Sequence, residues 1–462
     1  MSAHAIGNKH GNLITEGPVL KALLIVALPI IFSNLLQNVL ELVDIYCIGN
    51  FVGEDAAAAG TTGASVIMLL LVLVFGINTA TAAFVARAYG SHKHERISVI
   101  LGHALYATMG LSLIIGIIGF FFTEQIFVLF GAEPGVIEQG VAFLRPVLVC
   151  MFIMVLLMVL VTVFQSAGDS KTPMFVMIIV NVVNIVLNPT FIAGFGLGIA
   201  GSAYASIISR AVGVVLLILA MYFLPSKKNG PIKFPKKWTF EGRLLRDLVL
   251  IALPSALQSG LRSFSFVGMT AIITIFGGTA AMAAYGICGR LDMMGFILVM
   301  GLCTGVAVMV GQNLGARKPE RAMKAAKSAI LINAAFMVCL GVFYFFCAPT
   351  LMEIFGATGE WLEYGVEFMH IVPVSYFVVA AGMTMGFAMN GAGVTRPGMY
   401  AALAGNIIVQ VGLSLVFMAV LHLPLYWVWI AIVLGGIVTT AVDAFFFFRG
   451  KWMRKELNLD AV

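Results

Sequence analysis

The sequence predicts an all-α polytopic membrane protein, with twelve spanning helices arranged as two parallel six-helix repeats around a central cavity. Three observations predict it. The composition leaves little material for a wet surface. Basic residues fall in every second loop. The chain also resembles itself at one fixed offset.

Of 462 residues, 61% are hydrophobic and 10% are charged. A soluble domain carries about 25% charged residues, so a large water-exposed surface is excluded. The net charge of +6 does not point to nucleic acid, because the basic residues lie in short loops and form no patch. Six cysteines are too sparse for a disulfide scaffold. Cys47, Cys150, Cys288, Cys303, Cys339 and Cys347 fall in or beside apolar runs without a C-x-x-C spacing. They read as small buried hydrophobes, and no resident metal or cofactor is expected. The opening segment, from Met1 to Pro18, is polar and lacks the apolar core of a secretory signal.

A span needs roughly 20 apolar residues. Twelve runs qualify, near 20–48, 57–86, 97–122, 138–165, 173–194, 199–224, 245–276, 281–311, 322–347, 363–390, 398–421 and 425–448. The segments on the side of both termini hold 23 of the 27 Lys and Arg, with the densest run at 225–247. The loops on the other side hold none and carry acids such as Glu54, Asp55, Glu133 and Glu360. By the positive-inside rule both termini are expected in the cytoplasm, in a plasma (inner) membrane. A miscounted helix would scramble this alternation.

Sliding the chain along itself lays Ala27-Leu28-Pro29 on Ala252-Leu253-Pro254. At the same offset, residues 75–96 fall on 300–321 with eight of 22 positions identical, among them Gly76/Gly301, Gly90/Gly315, Lys93/Lys318, Glu95/Glu320 and Arg96/Arg321. Biased composition would give about two. Phe130-Gly131-Ala132 meets Phe355-Gly356-Ala357, and Asn181 meets Asn406. This is a tandem duplication. Six is even, so both halves enter the membrane in one orientation. That symmetry goes with a site between two lobes and alternating access by rocking. The expected units are a tail at 1–19, an N-lobe at 20–224, a linker at 225–244, a C-lobe at 245–448 and a tail at 449–462.

Ionisable groups inside a membrane are costly and mark function. Helix one carries Asn34, Gln37, Glu41 and Asp44 at helical spacing, one stripe that should face a lumen. Helix five carries Asn181, Asn184 and Asn188 the same way, and helix six carries Ser202, Ser206 and Arg210. Glu41 reads as a second proton carrier, a cation-attracting wall or the partner of Arg210. In the second half Asp44 maps to Met269 and Glu41 to Phe266, so the equivalent acids are missing. Arg262, Arg290, Asp292 and Asp443 are charges within spans there. They are expected to be buried and structural, with Arg262 or Arg290 tied to Asp443. The 25 Met and 35 Phe could line a pocket, but packing and lipid contact account for most of them.

Several motifs resemble the multidrug and toxic compound extrusion (MATE) family across nearly the whole chain. They are the A-L-P openings of helices one and seven, and Gln37 followed by VDIYCIG at 43–49. GDSKTPM at 168–174, NIVLNPTFIAGFGLGIAGSAYAS at 184–206 and VGQNLGARKPERA at 310–322 complete the set. The DinF-like or archaeal-like branch is the nearer one, because the acids concentrate in the first lobe. The resemblance implies a secondary antiporter that exports organic cations and other xenobiotics against inward H+ or Na+. It places Asp44, Asn184, Asn188 and Ser206 on the family's first-lobe cation site and Gln37 beside it. Asn34, Glu41 and Asn181 are expected in the adjoining cavity, and Arg210 as a structural charge. Many relatives have Asp where this chain has Asn188, which leaves Asp44 the one carboxylate among the four matched positions. A lone carboxylate in a low-dielectric cavity can carry a proton near neutral pH. H+ is therefore favoured over Na+ as the coupling ion. The remaining partners are small organic substrates and the bilayer, with the chain acting as a monomer. A flippase of lipid-linked metabolites is the alternative from the same superfamily. The loop ARAYGSHKHERI at 86–97 lacks the facilitator-superfamily signature, and no enzyme motif stands in a plausible site.

Overall fold

A computed structural model of the chain describes residues 11–129, 131–223, 232, 234–235 and 240–459. Most of the expected linker and the ends of both tails lie outside these. Among the described residues every regular element is helical. A short α1 (Gly11–Glu16) leads into span 1, α2 (Val19–Phe51). Spans 2 and 3 are α3 (Glu54–Gly90) and α4 (His94–Leu129). Span 4 is a pair, α5 (Pro134–Val149) and α6 (Met151–Ser166), bent by 52°. Span 5 is α7 (Lys171–Pro189) with a π turn at Thr190–Gly194, and span 6 is α8 (Ile199–Phe223).

The second half opens with α9 (Gly242–Gly315), 74 residues long. At 1.5 Å per residue it would stretch roughly 110 Å, several times the hydrocarbon core of about 30 Å. It is two spans, 7 and 8, reversed at Gly278 with φ 69° and ψ −166°. That backbone region belongs to glycine. The loop expected near 277–280 is thus one residue with helix on either side. Span 9 is α10 (Pro319–Ile354). Span 10 runs from α11 (Glu360–Ile371) through a 3-10 turn at Val372–Ser375 into α12 (Tyr376–Gly391). Span 11 covers Arg396–Val420 and is largely π-helical, and span 12 is α13 (Tyr426–Phe448). With span 4 bent and α9 counted twice, the described residues make twelve spans.

Spans 4 and 10 break at Cys150 and Ser375, which the repeat lays on one another. A proline lies just before each, Pro146 and Pro373. Proline removes a helical hydrogen bond and clashes with the preceding turn, which accounts for both joints. Of the cysteines, Cys47, Cys288 and Cys303 are buried as expected, but Cys339 is exposed on the helix surface.

The face carrying both ends of the described chain and the basic loops, here the basic face, is where the halves meet. Spans 1 and 7 cross over there. Ala22, Leu23, Val26 and Ala27 of span 1 are buried with Leu302, Val306 and Val310 of span 8. Leu244, Leu248, Ile251 and Ala252 of span 7 are buried with spans 2 to 6. Glycine lines the crossing. A Cβ at Gly305 would stand 3.0 Å from Ala27 Cβ, and one at Gly76 would stand 2.8 Å from Ala256 Cβ. Ala86 meets its own repeat equivalent, Gly311, so the pseudo-twofold axis passes between them. The close approach ends with Gly90 on the backbone of Gln312 and, symmetrically, Gly315 on the backbone of Arg87.

Candidate ion and substrate site

The polar stripe of span 1 meets spans 5 and 6 in the half of the membrane away from the basic face. Pro189 shapes the meeting point. It has no N–H to close the helix, and the chain continues by π turns, with Phe195 N–H donating to Thr190 O at 2.9 Å. The three asparagines just before this widened turn are buried. Asn188 Nδ2 donates to Asp44 Oδ1. Asn184 Nδ2 reaches Ser206 Oγ at 3.2 Å and Ser209 Oγ at 3.3 Å. Arg210 Nη1 donates to Ser206 O at 3.2 Å, and its charge bears on both Asp44 and Glu41. Glu41 is exposed, one turn above Gln37, whose side chain bears on it.

Seven of the residues singled out above therefore stand together: Gln37, Glu41, Asp44, Asn184, Asn188, Ser206 and Arg210. Arg210, expected as a structural charge, sits inside the group and faces both carboxylates. Asn34 is half-buried one turn nearer the basic face. Asn181 is buried with neither amide atom hydrogen-bonded. The Oδ1 atoms of Asn184 and Asn188 are also without partners. Buried polar atoms are rarely left so. Here they form a row of free acceptors beside a carboxylate, suited to a proton donor or a small cation. Ser209 was not singled out from the sequence, although its spacing of three from Ser206 put it on the same face.

The repeat is visible to family comparison as well. The MatE family model matches residues 29–190 and again 254–416, one match in each half and at the repeat's own offset. The chain belongs to the MatE family. A MatE protein is a transporter and not an enzyme, and among its relatives is the probable multidrug resistance protein YoeA of Bacillus subtilis. The two are 28% identical over 79% of this chain and 80% of YoeA. The probable multidrug resistance protein NorM of Thermotoga maritima is 24% identical over 94% and 93% of the two chains. The Staphylococcus aureus multidrug export protein MepA is 25% identical over 84% and 82%. The fold matches an outward-facing conformation of a multidrug resistance MATE family transporter of the MOP superfamily. The TM-score is 0.88 at 24% identity, covering 97% of this chain and 99% of that one.

The second half of this MatE chain holds different groups. Asp443 is buried and the charge of Arg262 bears on it from span 7, while its Oδ1 has no hydrogen-bond partner. Tyr376 donates its hydroxyl to Asp292 across spans 10 and 8. Arg290 departs from expectation. It is exposed, while Asp292 two residues on is half-buried against Tyr376, because a two-residue step on a helix points side chains apart. His370, in span 10, lies 3.2 Å from Phe345 O of span 9 and against the Phe345 ring, a contact between helices.

Proposed function

We propose that this chain exports amphiphilic, cationic organic compounds in exchange for protons by alternating access. The basic face is then cytoplasmic, in the plasma membrane. The moving units are an N-lobe at 20–224 and a C-lobe at 245–448, joined by the linker at 225–244. Both lobes belong to one chain, so a monomer suffices.

One observation carries the reading: Asp44 is the carboxylate at the end of a continuous polar stripe, and its bonded neighbour is an amide. Ionised, Asp44 accepts from Asn188 Nδ2. Protonated, it can donate to Asn188 Oδ1, which is otherwise without a partner. Loss of the charge also frees Arg210 to turn toward Glu41. Span 1 can then repack on spans 5 and 6 and displace substrate. Asn184, Asn188 and Ser206 act with Asp44 in coupling, while Asn34, Gln37, Glu41 and Asn181 line the cavity. The relatives YoeA and MepA, a probable multidrug resistance protein and a multidrug export protein, support the substrate class. So does an aromatic group in the second half. Phe266, the equivalent of Glu41, lies 6.1 Å from Tyr285, which stacks on Trp429. Of these rings Phe266 is the exposed one, and such an aromatic face suits a flat organic cation.

Na+ is the second reading, favoured by the unpartnered oxygens of Asn184 and Asn188. Efflux from proteoliposomes under separately imposed pH and Na+ gradients separates the two. The proton assignment expects transport driven by the pH gradient without sodium. Transport that needs Na+ at constant pH overturns it.

A further inference from the structure

The lead-ins to spans 1 and 7 are equivalent under the repeat, Glu16-Gly17 matching Glu241-Gly242. Each is gripped by the opposite half, through the same residue of the repeat. Arg96, at the start of span 3, pairs with Glu241 at 2.7 Å, with both side chains largely buried. His103, two turns on, accepts the Glu241 backbone N–H at 2.8 Å through Nε2 and lies 2.9 Å from Val99 O through Nδ1. It therefore needs its neutral, Nδ1-protonated form. Phe240 stacks on the His103 ring with centroids 6.1 Å apart. Arg96 also donates to Leu459 O at 2.5 Å, which brings the C-terminal tail onto the first half.

Arg321, at the start of span 9, is the repeat equivalent of Arg96. Its Nε and Nη2 both reach Ile14 O at 3.2 Å, and Nη2 also reaches Gly17 O. Asn313 Nδ2 adds a bond to Ile14 O at 3.3 Å, and Lys318 Nζ bonds Thr15 O at 3.1 Å. Glu16 stands 3.7 Å from Lys318 and its charge bears on Arg321. Ile14 itself is 3% exposed, seated with Leu314 and Ala322 of the second half.

We propose that Arg96 with Glu241, and Arg321 with residues 14–17, are two equivalent clasps that hold the basic-face gate shut. Both must release for that face to open. A basic loop that served topology alone would need charge and no geometry. Here each arginine meets a defined carboxylate or carbonyl of the opposite half, twice, in symmetric places. The gate they guard is the contact of Gly90 with Gln312 and of Gly315 with Arg87. The second clasp holds the lead-in of the helix that carries Asp44, an unbroken span from Val19 to Phe51. Movement of that helix at the ion site thus pulls on the clasp. Arg96 and Arg321 are positioning residues on this reading, which rests on alternating access and on neither the ion nor the substrate.

Hydrogen–deuterium exchange on the full-length protein in nanodiscs tests it without any gradient or substrate. Arg96→Gln or Arg321→Gln should speed exchange of amides 86–91 and 311–316 roughly tenfold, the effect of losing a charged hydrogen bond. Spans 5 and 6 should keep their protection. The reversed pair Arg96→Glu with Glu241→Arg should return exchange to within about twofold of the parent. Glu241→Gln offers a milder break if an arginine variant folds poorly. Unchanged exchange at the gate in folded variants overturns the proposal. So does an equal rise over all spans, or a reversed pair that restores nothing. A chain that exported nothing would still show the clasps, so the two readings fail separately.

Discussion

In the first half, span 1 brings Asp44 to the amide of Asn188, with Asn184 and Ser206 alongside. In the second half the same four places hold Met269, Leu413, Val409 and Ala431. Met269 is fully buried, and its sulfur accepts a hydrogen bond from Ser414 at 3.5 Å. The backbone contacts survive in both halves: spans 1 and 7 cross over alike, and spans 4 and 10 break alike. The two halves therefore share the glycine pairs Gly76/Gly301 and Gly90/Gly315 at the crossing and differ at the polar stripe. A residue whose Cβ would strike a neighbouring backbone, as at Gly90 and Gly315, has less freedom to vary than a side chain of the polar stripe.

The largest effect should come from Asp44→Asn. Coupled efflux should fall by at least roughly 100-fold, the scale of losing a proton-transfer group, while the detergent-solubilised protein still elutes as one species. Met269→Asp placed in that background should not restore transport. Rescue by Met269→Asp would make the halves interchangeable and break the comparison. Next, Asn188→Ala should cost about tenfold in efflux, as expected for a hydrogen bond to a charged group. Asn188→Asp should move the driving ion toward Na+, read by comparing the two gradients. Below these come Arg262→Gln and Asp443→Asn. Either should lower stability by about 3 kcal/mol in thermal or denaturant unfolding, because the remaining charge is left buried and alone. The pH midpoint of transport should stay put, and a shift as large as that from Glu41→Gln would place coupling in both halves. The smallest effect belongs to Phe266→Ala, a loss of about threefold in affinity for aromatic cations, measured by substrate-quenched fluorescence.

Much of the fold was legible because its causes are local. The long apolar runs, the loop charges and the constant offset between the halves gave the twelve spans and the repeat. The stripe from Asn34 to Asp44 was legible from helical spacing, as was that from Asn181 to Asn188. The joint at Cys150 was not. Pro146 marked it, yet a proline inside a span can bend, break or merely loosen a helix, and neighbours decide which. Gly278 hid for a related reason, since one residue in a glycine-only conformation leaves no loop-like composition behind. The grip of Arg321 on residues 14–17 was the least visible. The identity of Glu16 with Glu241 stood in the offset, but only packing shows that each lead-in lies on the other half. Arg290 erred the other way. Its charge within a span implied burial, and the rotation of span 8 exposes it.

The glycine-lined contact at the basic face has a consequence for leakage. An exchanger loses its gradient if ions slip through while one side is shut. Where side chains interdigitate, their rotamer changes open transient gaps that water can thread. Gly90 against Gln312 and Gly315 against Arg87 meet instead through main chain, which has no rotamers to fluctuate. Between them Gly311 lies against the Ala86 methyl, a side chain that also has no rotamers. At these contacts the shut face is closed by main chain, which leaves less room for a chain of water molecules than interdigitated side chains would.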